Sequence, residues 1–324
     1  MASLKTIAEQ SGVSKTTVSF VLNGRGDEKN ISTETQRRIQ DTAKRLNYQP
    51  NQLARSLSMG RSYTIGFVVP DISNPFFGKI ARLVEQYANE KAYSVMIAST
   101  DEEPSREKKI LESFQNRQID GVIIAPTSSQ SLHTPIPLVS FDRVFADQVA
   151  PYVDVNNKET ATLLTQQLID AGNKRIGLVS LTSHLPNINQ RIEGYKQALS
   201  ANAMVLDQEL VKEIDFKNKK ADVKVAIEAL LGGSSPVTAV LFLNNVLAAE
   251  GVWVVNRYFP ESVNKLKFAS FDNLDVFDYA LPKVTSALQP SKSIAKRCVE
   301  VLLQQIEDKS NAEDRCFSTK IIER

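Results

Sequence analysis

The sequence predicts an α/β protein in two parts: a small all-α unit at the N-terminus, then a short linker helix leading into a larger core built on parallel sheets. Three observations predict it. Apolar residues in the first fifty positions recur at helical spacing. From Tyr63 onward, apolar strand-like runs alternate with helical stretches. Charge is unevenly divided, since residues 1–62 carry ten Lys or Arg against five acids while the whole chain of 324 residues has a formal charge of only +2. At that length one hydrophobic core usually splits, so two parts are expected on size alone.

In the N-terminal unit, Leu4, Ile7 and Ala8 share one helical face, and Val13, Val18, Val21 and Leu22 are spaced to close over it. Gly12 permits the positive φ that ends the first helix, and Ser14 is the expected N-cap of the second. A third helix is expected over 32–46, capped by Ser32, with Thr35, Ile39, Thr42, Ala43 and Leu46 turned to the same small core. Tyr48 and Pro50 are expected to end it. Asn51 then caps a further short helix whose apolar strip, Leu53, Ala54 and Leu57, is too short to hold a helix unaided. The expected divisions are a helix-turn-helix headpiece at 1–49, a hinge helix and linker at 50–62, and the core at 63–324.

The start of the second helix leaves Lys15, Thr16, Thr17 and Ser19 outward, with Phe20 one turn later, a polar tip sized for a major groove. Set within a basic excess that would neutralise phosphates, it points to a DNA-reading surface, against the plainer reading of a solvated helix face.

In the core, strand-like TIGFVV, SVMIAS, GVIIAP, PLVSFD and YVDV are interleaved with helical stretches at 75–90 and 105–116. A second set follows: a helix at 159–171, RIGLVSL, helices at 189–202 and 221–231, then TAVLFLN and KFASFD. This is βα winding of two parallel sheets. Ligands of such sheets sit beyond the carboxyl ends of the strands, so the loops after Val69, Phe141, Leu181, Leu243 and Phe271 are expected to line a cleft. They carry Asp71, Asn74, Phe76, Phe77, Asp142, Arg143, Asn187, Arg191, Asn245 and Asp272. Carboxylates and amides hold vicinal hydroxyls, phenyl rings stack on C–H faces, and an arginine forks onto hydroxyls or a phosphate, so this set suits a sugar.

Other classes are disfavoured. No apolar run approaches the roughly 20 residues of a membrane span, and residues 1–10 lack the pattern of a signal peptide, so a cytoplasmic protein is expected. Cys298 and Cys316 lack metal-type spacing, and Cys298 reads as core packing. His133 and His184 fall in loop-like stretches. The glycines of GRGDEKN follow a helix rather than a strand, which fits a loop beside a DNA backbone and not a dinucleotide fingerprint. GxxxxGK[ST], GxSxG and HExxH do not occur, and no cofactor or metal is expected. An enzyme would need Asp142 and Asp272 as an acid/base pair, and a transport-type sugar-binding protein would have no use for residues 1–62. The helix at 291–308, apolar at Ile294, Val299, Leu302, Leu303 and Ile306, reads as core packing followed by a short tail.

The ordered stretches IAEQSGVSKTTVSFVLNG, LNYQPN, LARSL, IGFVVPDISNPFF, RQIDGVIIA, FDR and ASFDN resemble the LacI/GalR family of bacterial transcription regulators over essentially the whole chain. In pattern they are most similar to its fructose and sucrose regulators, the catabolite repressor/activator type included. The resemblance implies a two-lobed, periplasmic-binding-protein-like core, one lobe from about 63–155 and 288–318 and the other from about 156–287. It also implies a homo-oligomer, at least a dimer, with double-stranded operator DNA and a small sugar or sugar phosphate as partners. DNA contacts carried over are Lys5, Ser14, Lys15, Thr16, Thr17, Ser19, Phe20, Asn23, Tyr48, Asn51, Ala54, Arg55 and Leu57. Among them Lys15, Thr16 and Phe20 take base-reading positions and Leu57 a minor-groove wedge. Phe20 departs from the more usual polar residues and would meet a thymine methyl or pack.

Arg191 and Asp272 are the firmest implied ligand contacts, then Asp71, Arg143 and Asn245. Two arginines in one cleft suit fructose 1-phosphate, slightly ahead of sucrose or free fructose, unless Asp142 and Arg143 merely pair with each other to hold a loop. Effector binding is expected to move the lobes, spread the hinges and release DNA, with a corepressor giving the opposite sign.

Overall fold

The computed structural model describes residues 3–48, 60–128, 134–145, 150–182, 185–232, 234–307 and 314–324, in two compact units, Met1–Ser62 and Tyr63–Arg324. Asn51, Ala54, Arg55 and Leu57, with the two histidines, lie outside the described residues.

The first unit holds α1 (Leu4–Ser11), α2 (Lys15–Leu22) and α3 (Thr33–Arg45). Each begins on a serine: the Oγ atoms of Ser3, Ser14 and Ser32 accept the backbone N–H three residues ahead at 3.2, 3.1 and 3.3 Å. Each cap satisfies a donor that the helix leaves unpaired. Gly12 ends α1 at φ 64°. Ile7, Val18 and Ile39 are fully buried between the helices, and Ala8, Val21 and Ala43 complete the centre. The end of α3 differs from expectation. Asn47 adopts φ 48°, and the Tyr48 N–H turns back to the Ala43 carbonyl at 2.9 Å, so a left-handed asparagine closes the helix before Pro50 is reached.

The second unit contains two six-stranded sheets among the described residues. The first consists of β1 (Thr64–Val69), β2 (Ser94–Ser99), β3 (Gly121–Ile124), β4 (Leu138–Phe141), β5 (Tyr152–Val155) and β11 (Arg315–Phe317). Its spatial order is β11-β5-β4-β3-β1-β2, all parallel. The second consists of β6 (Ile176–Leu181), β7 (Val211–Ile214), β8 (Ala239–Phe242), β9 (Lys267–Phe271), β10 (Val284–Leu288) and β12 (Lys320–Ile322), in the order β12-β10-β9-β8-β6-β7. Only β12 runs antiparallel to its neighbour. Parallel strands need crossover helices, supplied here by α4 (Pro75–Asn89), α5 (Pro104–Asn116), α6 (Asn157–Asp170), α7 (Pro186–Ala201), α8 (Lys219–Leu231), α9 (Asn245–Tyr258) and α10 (Ser291–Ile306). The central strands are buried on both faces and read as continuous apolar runs. Phe67 stacks on Phe141 at 5.4 Å, and Cys298 is buried in the same core, its thiol pushed up by burial.

The chain passes between the sheets after Val155, Leu288 and Phe317. The stretch expected to be a plain tail is therefore the third crossing, and β11 and β12 close one edge of each sheet. The first and third crossings are bonded together: Thr160 and Thr319 hydroxyls meet at 2.7 Å, and the Asn156 N–H donates to the Phe317 carbonyl at 3.0 Å.

Candidate functional site

On the headpiece, the residues of the polar tip divide by local chemistry. Ser14 and Thr17 hydroxyls bond each other at 2.8 Å within the cap, and Asn23 donates to Ser19 at 3.3 Å. Lys15 and Thr16 remain exposed at the start of α2. Lys5 on α1 is well exposed, with Glu9 4.0 Å away, and Tyr48 leans on the apolar centre. Phe20 is half-buried, and its ring lies 5.3 Å from Lys29 Nζ and 5.8 Å from Arg25 Cζ, both from the following loop. That loop is held by the Gln36 amide, which donates to Asp27 Oδ1 and the Ile31 carbonyl at 2.8 Å. A Cβ on Gly26 would lie 2.4 Å from the Gln36 amide, so a larger residue there would push that amide out of its bonds to Asp27 and Ile31.

In the second unit the cleft lies between the carboxyl ends of the two sheets. Arg191 is its hub. One turn into α7, its guanidinium lies 3.6 Å over the Phe271 ring; Nε donates to Asn157 Oδ1 at 2.7 Å, Nη1 to the Leu243 carbonyl at 2.9 Å and Nη2 to Asp142 Oδ1 at 3.3 Å. Asp272 accepts from Gln289 at 2.6 Å, and burial pushes its carboxyl up to about 6, against the pull of Arg191. Asp154, bonded to Asn157, is raised further, to about 7, again by burial first. Asp142 and Asp272 both hold positive φ, at 59° and 70°, a left-handed conformation that among side-chain-bearing residues asparagine and aspartate adopt most readily.

Polar pairs span the lobes: Lys219 to Asp71 at 3.3 Å, Lys217 to Glu103 at 2.8 Å, Asn245 to Asn74 at 3.1 Å, and Arg191 to Asp142. The expected Asp142–Arg143 pair is loose at 3.8 Å; Arg143 instead makes a two-pronged bridge to Glu102 at 2.6 and 2.7 Å. Burial alone would drive Arg143 toward neutrality, but the Glu102 carboxylate outweighs it and holds the guanidinium above its ordinary range. The Oδ1 of fully buried Asn245 has no protein partner among the described residues.

All ten expected cleft residues are brought together around this space: nine line its narrow cavity of about 40 Å³, and Asn245 is tied to them through Asn74. That volume holds about one water, but an adjoining cavity of about 250 Å³ shares Phe76 and Asp272 as walls. Two placements differ from expectation. Asn187 and Asn245 stand on the first turns of helices, not on loops: α7 begins at Pro186, ahead of the helix expected over 189–202, and α9 fills a stretch for which no helix is expected, while Arg191 lies in the second turn of α7. Phe76 and Phe77 are largely packed into the core, Phe77 edge-on to Phe141 at 6.1 Å. Glu102, Asn157, Lys219 and Gln289 were not anticipated. The strand-end rule applied to β2 and β7 would have reached Glu102 and Lys219, the first behind the acidic turn TDEEP and the second behind the charged strand VKEI.

Two family descriptions match the chain: "Bacterial regulatory proteins, lacI family" over residues 3–51 and "Periplasmic binding proteins and sugar binding domain of LacI family" over residues 62–319. A ribose operon repressor of Haemophilus influenzae is 30% identical over 313 residues, covering 95% of this chain and 93% of its own. The lac repressor dimer bound to operator and an anti-inducer matches in structure with TM-score 0.83 at 20% identity, covering 100% of this chain and 98% of that one. The Cra regulator of Pseudomonas putida with fructose 1-phosphate matches with TM-score 0.72 at 22% identity, covering 81% and 98%. With both family descriptions laid end to end over a helix-turn-helix unit and a two-lobed parallel-sheet core, the chain belongs to the LacI family of bacterial transcription regulators and not to the enzymes.

Proposed function

We propose that this protein is a cytoplasmic repressor of sugar-utilisation genes, at least dimeric on a palindromic operator, and that a small uncharged sugar in the inter-lobe cleft weakens its grip on DNA. One observation carries the sugar reading: the fixed Arg191 guanidinium and the buried carboxylates of Asp142 and Asp272 converge from both lobes on one space. Such a set offers paired donors and acceptors to hydroxyls. Charge balance favours an uncharged ligand. The cations lining the cleft, Arg143, Arg191 and Lys219, already face Glu102, Asp142 and Asp71, with Asp272 in addition. The ribose operon repressor among the relatives supports the same class.

Fructose 1-phosphate is the second reading. The three cations in the cleft favour it, provided that they exchange a protein carboxylate for a phosphate; the likeness to the Cra complex adds the fold alone.

The lobe-spanning pairs make the coupling physical. A ligand that takes over bonds now made by Asp142, Asn245 or Asp71 changes the balance between lobe arrangements, and Asn157 and Gln289 connect the cleft to two of the three crossings. Headpiece contacts then run through Lys15 and Thr16, and Leu57 acts as the wedge on the operator. Anisotropy of the protein on DNA from upstream of its own gene, at fixed salt, tests this with D-ribose, D-fructose, sucrose and fructose 1-phosphate. Release by an uncharged sugar is expected. Release by fructose 1-phosphate alone favours the second reading, and specific binding indifferent to every sugar contradicts both. Leu57→Ala is expected to cost far more affinity on the operator than on random DNA; equal loss on both would remove the wedge.

A further inference from the structure

Resting on the uncharged-sugar reading, we infer that Glu102 is a built-in anion that determines effector class: it occupies the arginine fork a phosphate would use, and so admits uncharged sugars while excluding sugar phosphates.

The geometry is that of an occupied anion site. Glu102 Oε1 and Oε2 lie 2.6 and 2.7 Å from the two terminal nitrogens of Arg143, the parallel two-bond arrangement that a guanidinium also makes with phosphate. Arg143 is buried and Glu102 half-buried, their side chains 6% and 11% exposed, and both line the cleft cavity. Arg143 is further fixed by its bond to the Pro126 carbonyl at 3.3 Å. The turn that delivers Glu102 is itself constrained: Asp101 and Glu102 both sit at positive φ, 54° and 57°, in the left-handed region that side chains other than asparagine and aspartate rarely enter. Two consecutive residues held there aim the carboxylate inward, when the same acidic turn could have left it in solvent.

The surroundings reinforce the exclusion. Glu107 lies behind the pair, its carboxylate accepting from the Thr127 N–H at 2.7 Å and the Thr127 hydroxyl at 3.0 Å, and Asp142 stands 3.8 Å from Arg143 Nε. A phosphate beside Arg143 would therefore meet the two carboxylates that line the cavity there, Glu102 and Asp142, and like charges repel strongly where burial weakens screening. An uncharged sugar meets no such opposition and leaves the Glu102–Arg143 bridge intact.

Thermal-shift titration of the full chain with D-ribose, D-fructose, sucrose, ribose 5-phosphate and fructose 1-phosphate tests the inference in the wild type, Glu102→Ser and Glu102→Gln. Serine vacates both charge and volume, whereas glutamine removes the charge and keeps a bond to Arg143, so it remains informative if the serine variant does not fold. The wild type is expected to respond to an uncharged sugar and to neither phosphate. Glu102→Ser is expected to gain phosphate binding by about tenfold or more in apparent affinity, and Glu102→Gln by less. Adding Arg143→Gln to either variant should abolish the gain, because the cation that the phosphate seeks is gone. A wild type stabilised by a sugar phosphate and by no uncharged sugar overturns the uncharged-sugar reading. A wild type that responds to an uncharged sugar, with folded variants that gain no phosphate binding, overturns the role of Glu102 alone.

Discussion

The headpiece and the cleft are assembled by opposite rules. In the headpiece a compact apolar centre, with Ile7, Val18 and Ile39 fully buried, supports a polar surface whose cations are largely exposed. In the cleft the polar groups are buried or half-buried and most are already bonded to another, with Arg191 alone touching Asn157, Leu243 and Asp142. In the proposed function the first surface meets DNA through exposed groups, and the second answers a ligand by exchanging partners, because an internal bond must break before a ligand bond can form.

Substitutions can break this contrast, beginning with the largest expected effect. Arg191→Ala strips the cleft of its hub and leaves buried Asp272 without its cation and Asp142 with only the loose 3.8 Å contact to Arg143, so a loss of about 3–5 kcal/mol in core stability is expected, read by thermal melting. A small change would show that the network is no tighter than a surface cluster. Ile39→Ala is expected to cost about 2–5 kcal/mol, confined to the headpiece; operator binding should disappear while the melting of the core stays unchanged. Loss of the core transition in that variant would show that the units do not fold separately.

A pH series sharpens the comparison from the other side. Asp154, pushed up to about 7 by burial, keeps its proton in the folded state over a range where the unfolded chain, with the ordinary carboxyl value of 3.8, has released it. Its contribution therefore favours the fold at low pH and is lost as pH rises from about 4 to about 7. Asp154→Asn should flatten that fall, so the variant gains on the wild type between pH 5 and pH 8; a gap independent of pH would place the carboxyl in ordinary solvent. Smallest is Ser14→Ala, which removes the cap of α2 and should cost about 1 kcal/mol in headpiece stability.

The same contrast decides what could be read from the sequence. The headpiece was legible because its signals are local: serine caps, Gly12, and apolar spacing within a few turns. Its third helix still ended by a rule that was overlooked, the left-handed Asn47. The cleft was legible where a strand ends in an apolar run, which placed Asp71, Asp142, Arg143 and Asp272. It was not legible where the strand sits at a sheet edge and alternates with charge, as VKEI does, so Lys219 went unseen. Nor was the partner of Arg143 legible. Glu102 lies 41 residues away, and only the packing of β2 beyond β1 and β3 brings the two turns together.

The most direct measurement is operator anisotropy with and without the uncharged sugar that releases the wild type, on Lys15→Ala and Arg191→Lys. Arg191→Lys keeps the charge but loses the fork, so it is expected to bind operator and no longer to be released by the sugar. Lys15→Ala is expected to bind operator weakly, with a shallower salt dependence, and still to be stabilised by the sugar in a thermal shift. If Arg191→Lys is released like the wild type, or if Lys15→Ala loses its response to sugar, then reading and sensing do not reside in separate units.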